Sequence, residues 1–130
     1  MTKLFDYIKF DNLGLVPCIV CDYSSGEVVM LAFMDKEAIN LTVEKKMMHY
    51  FSRSRQKIWQ KGEESGSIQI LKSLKIDCDG DSLLAIVEQK KVACHTGRES
   101  CFFYDIGDDL TLSENQKVKI DPKELYLKND

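Results

Sequence analysis

The sequence predicts a strand-rich α+β fold: a single domain with one main helix. Short apolar runs bounded by turn residues recur between Leu15 and Tyr104, and only one stretch carries helical spacing. A chain of 130 residues can bury a sizeable core as one domain. Leu15 to Asp22 and Glu27 to Met34 flank Ser24-Ser25-Gly26 and read as a β-hairpin. Asp35 then offers an N-cap to a helix of about ten residues, in which Ile39, Val43 and Met47 recur at four-residue spacing. Met47 to Ser52, the alternating Ser67 to Asp77, Ser82 to Gln89, and Cys101 to Tyr104 follow as strands. Lys61 to Ser67 and Lys91 to Ser100 read as loops. Residues 1–106 form the expected domain. The polar residues 107–130 are an extension of unknown role, either weakly ordered or a strand-and-turn appendage against a partner.

Composition narrows the function classes. The formal net charge of −3 argues against a protein that coats nucleic acid. No apolar run approaches the roughly 18 residues of a membrane span, and Met1 to Asp6 lacks a signal-peptide core. A cytoplasmic location is therefore expected. In that reducing compartment the five cysteines read as metal ligands, reactive thiols or small buried apolar groups before disulfides. Residues 36–61 carry seven basic against two acidic side chains, a local excess that suits an anionic small molecule or a solvated charged face.

Several residues could carry chemistry. Cys78, Cys94 and Cys101 stand in polar surroundings. Three thiolates could hold zinc and leave a fourth position for water, although free thiols are the plainer alternative. His95 is adjacent to Cys94, which makes joint ligation awkward, but its loop suits a proton shuttle. Asp77-Cys78-Asp79-Gly80-Asp81 reads as an acidic turn between two strands, at its plainest a solvated one; were its backbone extended, three carboxylates would point one way and the thiol the other. Converging carboxylates invite Mg²⁺ or Ca²⁺. An EF-hand is disfavoured, because the position that needs glycine is Ser82 and the flanks read as strands. Pro17-Cys18-Ile19-Val20-Cys21 matches half of a zinc-deaminase signature, without the preceding His-x-Glu. Cys18 and Cys21 could also be a redox pair, but in a strand they face opposite sides and read as packing residues. His49 reads as a core or edge histidine. Ser52-Arg53-Ser54-Arg55 and the stretch from Lys61 to Gly66 combine cations, hydroxyls and glycines suited to phosphate. Trp59 could stack on a base but is more simply a core residue.

Taken together, these segments resemble the phosphoribosyl-AMP cyclohydrolase family of histidine biosynthesis. The matching pieces run from Gly26 to Met34, Tyr50 to Arg55, Trp59 to Gly66, Asp77 to Asp81 and Ala93 to Phe102, in the family's order. The acidic cysteine turn followed by Cys94-His95-Thr96-Gly97-Arg98 is the most specific part. Gln60, Glu64 and Ser67 depart from residues common in the family. The resemblance implies an intertwined homodimer with zinc shared by Cys78 of one subunit and Cys94 and Cys101 of the other. It also implies magnesium at Asp77, Asp79 and Asp81. The implied substrate is an adenine nucleotide carrying a second phosphoribosyl group on N1. Zinc-activated water would add to C6 and open the N1–C6 bond, giving the formimino imidazole carboxamide ribotide. His95 is the expected base, and Arg53, Arg55, Lys61 and Arg98 are the cations available for the two phosphates.

Two other readings compete. A structural-zinc dimer that presents a surface to a protein would need no cluster of aspartates. An RNA-binding module on the Ser-Arg segment sits badly with the acidic remainder of the chain. Neither nucleic acid nor membrane is an expected partner.

Overall fold

A computed structural model describes residues 1–126. A one-turn helix, α1 (Leu4–Tyr7), leads into strands β1 (Val16–Asp22) and β2 (Val28–Met34). Helix α2 (Lys36–Lys45) and the strands β3 (His49–Ser52) and β4 (Lys57–Gln60) follow. Then come β5 (Gln69–Ile76), β6 (Leu83–Gln89), β7 (Tyr104–Ile106), β8 (Leu112–Glu114) and the one-turn helix α3 (Pro122–Leu125). The strand-rich α+β expectation holds, and no helix among the described residues is long and apolar enough to cross a membrane.

The main sheet has the order β2-β1-β6-β5. Its β1–β2 hairpin is the expected one. Asp22 closes the turn by accepting the Ser25 N–H at 3.0 Å, and Gly26 takes φ +73°. β1 and β6 run parallel in the centre, with Cys18 opposite Leu83 and Asp22 opposite Val87. Alternation decides what they bury: Val16, Cys18 and Val20 from one strand meet Leu83, Ala85 and Val87 from the other in the core. β5 bends at a bulge between Leu71 and Ser73.

Helix α2 starts where the sequence places it. The Asp35 carboxylate accepts the Ala38 N–H at 2.8 Å, and Lys46 ends the helix in the left-handed region. Its buried stripe is Ala38, Ile39 and Thr42, while Val43 faces solvent. The four-residue repeat of Ile39, Val43 and Met47 is therefore not the packing face. Two further expectations shift. Lys57–Gln60 forms β4 against β3, and the strand expected at Cys101 begins only at Tyr104. β7 pairs with β8, so residues 112–114 continue the same small sheet.

A polar chain crosses the core. Tyr50 donates to Gln69 Oε1, Gln69 Nε2 donates to Gln89 Oε1 at 2.7 Å, and Gln89 Nε2 donates to the Ser67 carbonyl at 3.2 Å. Both Tyr50 and Gln69 are fully buried. Gln69→Ala would strand the Tyr50 hydroxyl away from water and take from Gln89 Oε1 its donor. The expected loss is about 3 kcal/mol of unfolding free energy with an unchanged m-value, measured by urea denaturation.

Candidate active site

Strand β6 divides the chemically rich residues into two groups. Asp77 to Asp81 lie in the turn before it, and Cys94 to Cys101 in the loop after it. Seven residues of strand hold its two ends roughly 20 Å apart.

The first group is a tight turn rather than an extended strand. The Gly80 N–H donates to the Asp77 carbonyl at 3.2 Å, and Gly80 takes φ +76°. The three carboxylates converge because the chain folds back, not because they share a pleated face. Ligand oxygens of Asp77, Asp79 and Asp81 lie within 4.8 Å of one another, and all three residues are exposed. Slight burial raises the Asp77 carboxyl, but N–H groups of Asp81, Ser82 and Gly80 outweigh it and hold the group below its usual range. Asp81 moves the other way, through its hydrogen bond to Asp77, then burial and repulsion by Asp77 and Asp79. A divalent cation among these carboxylates would relieve the mutual repulsion that raises Asp81. Residues 7–9 buttress the turn. Tyr7 donates its hydroxyl to the Cys78 carbonyl, and the Lys9 N–H donates to the Gly80 carbonyl at 2.7 Å. Cys78 itself is exposed.

The second group is a laced loop. The Cys94 N–H donates to the Arg98 carbonyl at 3.1 Å, the Gly97 N–H donates to the Cys94 carbonyl at 3.0 Å, and the Cys101 N–H donates to Val29 of β2 at 2.7 Å. Cys94 is buried and accepts the Thr96 hydroxyl at 3.0 Å. The Cys101 thiol lies against Cys94. Burial, then the charge and hydrogen bond of Cys94, push it up to about 11, with Lys61 pulling the other way. Burial lowers the Lys61 ammonium, the two thiols favour its charged form, and it donates to the Ala93 carbonyl at 2.6 Å. His95 is exposed beside this pair.

The structure therefore brings together Cys94, Cys101 and Lys61, and separately Asp77, Asp79 and Asp81. It does not bring Cys78 to the other two thiols. Among the described residues, the three aspartates are the only metal-ligating group of three or more that gathers within one chain. Soft thiolates at one end suit zinc, and hard carboxylates at the other suit magnesium. Arg55, Trp59 and Lys61 line a cavity of about 250 Å³ with Glu64 and Tyr126. Arg53 is exposed, with its guanidinium 4.1 Å from the Phe33 ring centroid. Arg98 is held by Gln116 and Glu114. His49 is buried, with Nδ1 2.7 Å from the Met47 carbonyl, so Nδ1 carries the proton. Trp59 is half-buried against Tyr50. Sequence reasoning missed Thr96, whose closeness to Cys94 was a usable signal, and Tyr126, which carried none.

The phosphoribosyl-AMP cyclohydrolase family model matches residues 30–103. A phosphoribosyl-AMP cyclohydrolase of Granulibacter bethesdensis is 49% identical over 126 residues, covering 97% of this chain and 98% of that one. Another, from Streptococcus thermophilus, is 58% identical over 103 residues, covering 78% and 92%. The histidine biosynthesis bifunctional protein HisIE of Wolinella succinogenes is 51% identical over 113 residues, covering 87% of this chain and 49% of its own length.

The thiols differ enough in setting to be told apart chemically. Burial pushes Cys18 up to about 12, against the pull of its backbone hydrogen bond with Ala85. Near neutral pH both Cys18 and Cys101 are therefore held as thiols, Cys18 the more strongly because it is buried. In the metal-free protein, alkylation at pH 8 followed by peptide mapping is expected to modify exposed Cys78 first, Cys101 slowly and Cys18 only on unfolding.

Proposed function

The chain belongs to the phosphoribosyl-AMP cyclohydrolase family, and on that premise we propose that it works as a homodimer in which Cys94 and Cys101 share a zinc ion with Cys78 of the partner subunit. The activity is a hydrolysis in histidine biosynthesis. The observation that carries the shared site is the separation imposed by β6: one chain offers two thiols at one end of the strand and the third at the other. A second copy supplies the missing ligand without bending the fold. Exposed apolar residues support a partner surface, with Phe102, Tyr104, Ile106 and Leu112 clustered along β7 and β8. A cytoplasmic, reducing setting keeps the thiols available.

Zinc held by these thiols would supply an acidified water for attack on the purine. The side chains supply the rest. His95, exposed beside the thiol pair, takes a proton from the attacking water as its oxygen bonds to C6. It returns a proton to N1 as the N1–C6 bond breaks. Arg53, Arg55 and Lys61 meet the phosphates, with Arg55 and Lys61 already on one cavity wall. Asp77, Asp79 and Asp81 would hold magnesium, which would supply a second positive charge to an anionic substrate.

The reading is tested by incubating the zinc-loaded protein with N1-phosphoribosyl-AMP and Mg²⁺ and following ring opening by ultraviolet absorbance. Ring opening that a zinc chelator abolishes is expected, and its absence in the loaded protein would overturn the reading. His95→Ala is expected to retain zinc while kcat falls about 10²–10⁴-fold. Asp79→Asn is expected to raise the magnesium concentration for half-maximal rate at unchanged zinc content, measured by titration with metal analysis.

A further inference from the structure

We propose that residues 114–120 act as a splint for the loop between Cys94 and Cys101, with Arg98 and Gln116 as positioning residues that fix the spacing of the two thiols. This inference rests on the reading of Cys94 and Cys101 as a metal pair. It gives a role to a segment that lies outside the residues matched by the family model.

Each residue from Gly97 to Ser100 is fastened to this segment. The Gly97 carbonyl accepts the N–H groups of Lys119 at 2.9 Å and Ile120 at 3.1 Å. Gly97 takes φ +88°, and a Cβ there would fall 1.9 Å from the Ile120 carbonyl oxygen, so the close approach admits only glycine. Arg98 Nε donates to the Gln116 carbonyl at 3.2 Å, and Nη2 lies 3.2 Å from Glu114 Oε1. The same guanidinium stacks 4.0 Å from the Phe103 ring centroid. Lys119 pairs with Glu99 at 2.6 Å, and the Ser100 N–H donates to Gln116 Oε1 at 3.1 Å.

These contacts are not equal. Lys119 and Glu99 are both well exposed, so their pair adds little. The Arg98 side chain is only 13% exposed, and its charge is already met by Glu114. That placement makes it a fastener rather than a free cation for phosphate. An irregular loop must find partners for its backbone groups, and here residues 114–120 provide them. A loop ordered before metal binding spares the ion that entropic cost.

The test uses the full chain carrying Gln116→Ala, Glu114→Gln, Arg98→Ala or Arg98→Lys. Zinc affinity is read by competition with a chromophoric chelator, and the Ser100 amide by hydrogen exchange in metal-free protein. Gln116→Ala and Arg98→Ala are expected to weaken zinc binding 10–100-fold. The two losses should combine less than additively in the double variant, with Arg98→Lys partly rescuing. Ser100 exchange should quicken in Gln116→Ala, and KM for the nucleotide should stay within about twofold when zinc is saturating. Unchanged zinc affinity and exchange in both Gln116→Ala and Glu114→Gln would overturn the splint. A raised KM with intact zinc affinity in Arg98→Ala would overturn the positioning role and return Arg98 to the phosphates. Should the unaltered protein bind no zinc, the metal reading fails, and the exchange rates still decide whether residues 114–120 hold the loop.

Discussion

The parallel pairing of β1 with β6 sets the positions of everything else in this molecule. A parallel neighbour requires a crossover, and here it consists of β2, α2, β3, β4 and β5. β6 is flanked by β1 on one side and β5 on the other, and the chemically rich residues lie just beyond its two ends. The acidic cysteine turn occupies one end and the Cys94–Cys101 loop the other. Burial of Leu83, Ala85 and Val87 against β1 fixes the strand in the sheet and keeps the two groups apart. The shared-site proposal follows from this rigidity, since a floppier connection could have closed three thiols within one chain.

The core is held by more than apolar area. Tyr50, Gln69 and Gln89 form a buried polar chain that demands one alignment of β5 on β6. Sliding β5 by one residue would turn Gln69 outward and leave Tyr50 without its acceptor. Cys18 lies among these residues as a small apolar group, with its thiol strongly disfavoured from ionising. Identical side-chain chemistry thus serves packing at Cys18 and, in the proposed zinc site, ligation at the two ends of β6. Burial and neighbours decide which.

Much of this was legible from residue patterns. The hairpin showed because apolar alternation and Ser24-Ser25-Gly26 are local signals, and Asp35 capped α2 for the same reason. β4 was missed because Lys57-Ile58-Trp59-Gln60 offers only two apolar residues between polar ones, and its pairing with β3 supplies the order. Val43 misled the helix face because an aliphatic residue at the right spacing can still point to solvent. The acidic segment was legible as a turn between two strands; the extended arrangement also considered for it fails because Gly80 reverses the chain. The chemistry of the candidate site showed in residue type: thiols, carboxylates and a histidine are distinctive wherever they fall. The fastening of Arg98 was not legible, because its partners lie 16 and 18 residues away in a polar stretch without periodicity.

The lacing of Gly97 by Lys119 and Ile120 also imposes an order in time. Synthesis reaches Ile120 about 1–5 s after Gly97 at ordinary elongation rates. Over that interval the two thiols exist on a loop whose later partners have not been made. An ion bound at the proposed site before those partners exist would meet a pliant chelator, and one bound afterwards a fastened one.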